Sequence, residues 1–309
     1  MYLKTPSRAR RALLLVLGAA WAAAGLASED RALLWSVTGP QGHAGYLLGT
    51  IHSEDPRVLE FKPEFLDLLR GSRVFAMELV PDLPTLARLA DYMRLPVGTH
   101  LAEVIGMQRF RAVAQALGGY GLPEEQVARM KPWAAMMTLS VPPPKTGLFM
   151  DFSLSLRASG QGLKVIGLET LEQQLAFLEG MPGDEQLALL DQAVREFPRV
   201  QEVHDQMVEA YLSDDLQALY RLAHAQLETL DPGARARFLQ EGIIERNRRM
   251  LETMQPVLVQ GGLFTAVGAL HLPGEEGLLN LLRGAGYRLQ PLASPFADRA
   301  APDRLAMSR

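Results

Sequence analysis

Short apolar runs bounded by glycine and proline alternate along this chain with longer segments in which apolar residues recur every three or four positions. These are the periods of buried strands and of helices. Residues 32–37 and 46–48 flank a glycine-rich turn and predict a β-hairpin. Phe65, Leu66 and Leu69 share a helical face and predict a helix over 62–70. Residues 74–80 predict a second buried strand, closed by Pro81. From 82 to about 163 the pattern is mostly helical, punctuated at Pro96, Pro123 and Pro132, and Pro142, Pro143 and Pro144 predict an extended corner before a helix opening at Met150. Residues 164–168 read as a strand, 171–254 as a Gln- and Glu-rich helical region, 263–267 as a strand, 274–283 as a helix and 287–292 as a closing strand.

Strands that alternate with helices, with sheet-forming segments near both ends, predict one α/β domain over 28–293. Its central mixed β-sheet is flanked by helices and carries a large helical insertion between strands, roughly 82–163 and 171–254. Residues 294–309 are small, charged or proline-containing and are expected to form a disordered tail.

The N-terminus changes the compartment. Lys4, Arg8, Arg10 and Arg11 precede an uncharged run from Ala12 to Leu26, with small residues up to Ala27 and acids at Glu29 and Asp30. This is the pattern of a secretory signal peptide, residues 1–27. The run is shorter than the roughly 20 residues a spanning helix needs, so cleavage is expected rather than retention as an anchor. The predicted location is exported, periplasmic or secreted, with no stable membrane span after cleavage. Cleavage would leave 27 basic against 35 acidic residues, which disfavours a nucleic-acid partner. There is no cysteine, which excludes thiol nucleophiles and thiolate metal sites.

Two segments have the same form, an apolar strand ending in Gly-x-x-His: Gly49 with His52, and Gly268 with His271. A glycine that lets the backbone turn at a strand end, with an imidazole just beyond, can present a ligand or base at the edge of an α/β sheet. The repetition suggests one composite site on neighbouring strands. Glu78 is the single charge in an otherwise apolar run and needs a partner if buried. With His52 and His271 it makes a plausible ligand set for a divalent metal; pairing with an arginine is the structural alternative. Glu169, just past its strand, reads equally as a site carboxylate or a helix cap, and Asp151 as a cap or a site residue. Surface pairing such as Glu245 with Arg249 is the plain reading of the Glu245-Arg246-Asn247 segment.

Together, Leu48 to His52, Met77-Glu78, Gly167 to Thr170, Glu245-Arg246-Asn247 and Ala266 to Leu272 resemble the TraB/PrgY/GumN superfamily, which includes the Tiki proteins and is distantly related to ChaN-like and erythromycin-esterase-like enzymes. The resemblance spans about 33–292. It implies a metal-dependent hydrolase-like fold, with His52 and His271 as metal ligands or bases and Glu78 as ligand or general base. It further implies that Arg246 and Asn247 stabilise an oxyanion or orient the ligands, and that Asp151 and Glu169 are supporting carboxylates.

The expected function is that of an exported, divalent-metal-dependent hydrolase acting on peptide or protein substrates, with Mn, Co or Zn as plausible ions. The alternative is a non-catalytic envelope or signalling protein that binds metal, haem or peptide.

Overall fold

The computed structural model describes residues 31–40, 42–228 and 230–297; the expected leader lies outside them. Six strands form one mixed sheet: β1 (Leu34–Gly39), β2 (Gly42–Thr50), β3 (Val74–Met77), β4 (Lys164–Gly167), β5 (Leu263–Gly268) and β6 (Arg288–Pro291). Their order is β4-β3-β5-β2-β1-β6. The four strands β4, β3, β5 and β2 run parallel, while β1 is antiparallel to both of its neighbours.

The β5 strand is buried at five successive positions, as a central parallel strand covered on both faces must be. It separates β2 from β3: Thr50 stands opposite Gly268, and Met77 opposite Ala266. The two Gly-x-x-His strands are therefore direct neighbours, while Glu78 reaches the site from the far side of β5. Two apolar clusters complete the interior. One covers the sheet, with Trp35, Phe75 and Phe264 among its largest members; the other lies among the helices between 101 and 193, around Leu117, Trp133 and Leu190. Each large apolar side chain so buried contributes about 1.5–3 kcal/mol of transfer free energy.

Several boundaries differ from the pattern reading, and three of them have a visible local cause. The strand expected over 74–80 stops at Met77, and the Glu78 side chain just beyond accepts the Gly268 N–H instead. The helix expected from Gly274 begins at Leu278, because Gly274 takes a left-handed φ of 93° and a turn intervenes. Residues 295 and 296, expected in the tail, belong to the fold: Pro295 accepts the Lys62 N–H and Phe296 is buried beside Phe61 and Tyr211. A lone aromatic gains more from burial than its polar surroundings suggest. Residues 298–309 lie outside the described region.

Candidate active site at the strand ends

The C-terminal ends of the four parallel strands meet at the crevice where strand order reverses, the usual position of a ligand site in open α/β sheets. Thr50 ends β2, Glu78 follows β3, Glu169 follows β4, and Gly268 ends β5 with His271 in the 3-10 turn Ala269–His271. Helix Glu245–Gln260 carries Arg246 and Asn247 to the same place, directly after a π-helical segment, Phe238–Ile244.

The glycines of the two motifs provide room rather than a left-handed turn. A Cβ on Gly49 would lie 3.0 Å from Ala269, and one on Gly268 would lie 3.2 Å from the Glu78 carboxylate. Without that Cβ, Glu78 Oε1 accepts the Gly268 N–H at 2.7 Å. Its Oε2 accepts from Arg246 Nη2 at 2.6 Å and from Gln174 Nε2 at 3.3 Å. Burial works against the charge on Glu78, but neighbouring His271, Arg246 and the Gly268 amide outweigh it and hold the carboxyl at about 2.

His271 is 5 % exposed. Its Nδ1 lies 2.7 Å from Asn247 Oδ1, and Asn247 Nδ2 donates to the Glu276 carbonyl at 2.7 Å. That second bond orients the amide so that Oδ1 accepts from Nδ1–H, which assigns the histidine electron pair to Nε2. Burial pushes the His271 pKa down to about 4, against the pull of Glu78 and with help from Arg246, so the ring is neutral at pH 7. Nε2 stands 3.9 Å from Glu78 Oε1, two electron-pair donors face to face.

Glu169 has a fully buried side chain and does not cap the following helix; Thr170 does. Glu169 Oε2 accepts from Arg246 Nη2 at 2.6 Å and from Nε at 2.9 Å, and its Oε1 accepts from Nε at 3.2 Å with Arg249 3.6 Å away. Arg246 thus joins two carboxylates, the arginine pairing weighed for Glu78: its Nε and Nη2 are committed to them, while Nη1 donates to the Gly242 carbonyl at 3.5 Å. Glu245 reaches Arg249 at 4.0 Å, so surface pairing describes Glu245 but not the two residues after it.

His52 has different surroundings. Its side chain is 59 % exposed, its ring stacks on Phe149 at 3.8 Å, and its Nδ1 is 3.7 Å from Asp151 Oδ2. Asp151 lies in the first turn of helix Met150–Gly160, and Thr50 Oγ1 donates to it at 2.5 Å. The three ligands expected to share one ion are therefore split: His271 stands with Glu78, whereas His52 stands with Asp151. Among the described residues, no three His, Asp or Glu side chains are gathered as a metal-binding group. Glu78, His52, Asp151, Thr50 and Gly268 do line one cavity of about 480 Å³, so the His52–Asp151 pair and Glu78 border a shared space, with His271 beside Glu78 outside its lining.

Pattern reading missed Thr50, Gln174 and Phe149. Thr50 stands inside the first motif, whereas nothing in the local sequence marks Gln174 or Phe149. It also missed the purpose of the charged Ser53-Glu54-Asp55 run. Glu54 accepts the N–H groups of Lys145, Thr146 and Gly147, tying the loop after the prolines to the end of β2.

The TraB/PrgY/gumN family model matches residues 33–291. The chain belongs to this family. It is 23 % identical to "Metalloprotease TIKI2" of Danio rerio, with 88 % of this chain and 64 % of that protein covered, so it spans less than two thirds of that relative. It is 26 % identical to "Uncharacterized protein YbaP" of Shigella flexneri, over 80 % of this chain and 90 % of that one. No solved structure matches it. Among the described residues, no helix of this family member is long and apolar enough to cross a membrane.

Proposed function

We propose that this chain is a divalent-metal-dependent hydrolase of peptide bonds, exported by its leader. The observation that carries the reading is the meeting of His271 Nε2 and Glu78 Oε1 at 3.9 Å beside the cavity. The name of the Danio rerio relative, a metalloprotease, supports the protease class.

The donor chemistry suits a cation. His271 has its other nitrogen held by Asn247, as metal-bound histidines have theirs held by an outer partner. Both donors are deprotonated at neutral pH, so neither must release a proton for a cation to bind. His271 and Glu78 would hold the ion, with a further donor from Asp151 or His52 across the cavity. A divalent ion, when bound, lowers the pKa of a water toward neutrality and polarises a carbonyl.

The remaining roles belong to the chain itself. Arg246 keeps Glu78 ionised and in place, Asn247 keeps the His271 tautomer, and the Gly268 amide aims the Glu78 carboxylate. His52, mostly exposed and beside Asp151, would exchange a proton with a leaving group.

The test is metal analysis of the purified protein with cleavage of a peptide library, for the wild type, His271→Ala and Glu78→Gln. We expect about one bound divalent ion per chain and chelator-sensitive cleavage, with both lost in the two variants. Wild-type protein that neither binds such an ion nor cleaves any peptide would overturn the reading.

A further inference from the structure

The cavity beside Glu78 has two kinds of wall. Besides the polar groups already described, Met77, Leu79, Pro81, Leu86, Phe149 and Phe152 line it. Leu86 belongs to helix Leu83–Tyr92, which buries none of its residues. Leu86 is 43 % exposed and Leu83 83 %. The helix is tethered at its far end, where Arg88 pairs with Glu172 and Tyr92 donates to the same carboxylate. Its leucine at the cavity mouth is apolar surface that a ligand entering the site would cover.

Charge narrows the ligand. Among the described residues that line the cavity are two carboxylates, Glu78 and Asp151, and no lysine or arginine. The lining thus offers an anionic side chain no Lys or Arg partner, whereas its apolar residues offer a neutral apolar side chain a surface to cover. Shape narrows it again. On the other side of the stacked His52–Phe149 pair lies a second cavity of about 310 Å³, bounded by Pro142, Pro143, Pro144, Glu54 and His204. His52 and Phe149 line both cavities, so a long ligand that fills the pair must cross them.

We propose that the cavity beside Glu78 is a subsite for one large apolar side chain, leucine- or phenylalanine-like, of an extended peptide whose backbone crosses the His52–Phe149 pair. Leu86 is its specificity-determining residue. The inference rests on the peptidase reading above.

The test uses peptides of one length that vary a single position among Phe, Leu, Ala and Asp, assayed for cleavage and, as blocked non-cleavable analogues, for binding. Burial of a leucine or phenylalanine side chain predicts a preference of about tenfold or more for Phe and Leu over Ala. Leu86→Asp is expected to remove most of that preference and Leu86→Ala to weaken it. Leu83→Asp, on the same helix but away from the cavity lining, should leave it unchanged. The subsite is overturned if Leu86→Asp keeps the wild-type preference, if Asp peptides bind as well as Phe peptides, or if no analogue binds. If apolar analogues bind and Leu86→Asp weakens them, yet the wild type cleaves nothing, the peptidase reading fails and the subsite stands.

Discussion

The Nδ1–H of His271 donates to Oδ1 of Asn247 at 2.7 Å, and through this bond a residue on a helix determines which nitrogen of a strand-end histidine keeps its electron pair. Asn247 is 1 % exposed and anchored by the Glu276 carbonyl, so the orientation is held from behind. Partners of this kind typically affect metal affinity or activity by about 10–100-fold. Asn247→Ala should lower activity within that range. Asn247→Asp should raise the His271 pKa and shift the acid limb of the kcat/KM profile to higher pH. A profile that does not move in Asn247→Asp would show that His271 is not the group it reports.

His271 also makes stability depend on pH. Its pKa falls from 6.5 to about 4 on folding, so between those values the unfolded chain binds the proton that the native state refuses. Its contribution is complete above about pH 6.5 and is lost as pH falls toward 4, by up to about 3 kcal/mol. Glu78, lowered from 4.5 to about 2, continues the loss at still lower pH. Urea unfolding at pH 7, 5.5 and 4 should show this decline, and His271→Gln should flatten the upper part of it.

Arg246 is the shared partner of two carboxylates. Arg246→Ala leaves Glu78 and the fully buried Glu169 without the guanidinium that joins them, a change of about 3–5 kcal/mol for broken buried pairs. Arg246→Lys should recover little, because one ammonium cannot reproduce the fork that contacts both. Thermal melting would test both variants; a loss under about 1 kcal/mol in Arg246→Ala would contradict the cluster's structural role.

The two motif histidines should separate by stability. His52 is mostly exposed and His271 is not. His52→Ala should change unfolding free energy by no more than about 0.5 kcal/mol while lowering activity. His271→Ala should reduce stability measurably as well, which paired denaturation curves would show.

Glu54 clamps the loop beside both cavities. Glu54→Gln removes the charge that draws three amides together and should cost about 1–3 kcal/mol, with faster proteolytic nicking between 141 and 149. Unchanged nicking would mean that the prolines alone hold the loop.

Much of this was legible in the chain. The continuous apolar run of β5 and the alternation of strands with helices marked a buried sheet, because burial on both faces admits little else. The paired Gly-x-x-His segments marked strand ends, and the lone charge at Glu78 announced a partner. Arg246 as that partner was not legible beyond a family resemblance, since surface pairing satisfied local spacing equally well. Phe296 was read as tail because composition averages over neighbours, whereas a single aromatic responds to the surface it can reach.

Sequence by itself determined the fold class, the family and the residues available for chemistry, because periodicity and strand-end motifs are local properties of the chain. Tertiary structure decided how those residues are grouped. It put β5 between β2 and β3, joined Glu78 to His271 and Arg246, and left His52 with Asp151. Strand order and the helix register that aims Arg246 and Asn247 inward arise from packing between segments far apart in the chain, which no local pattern encodes.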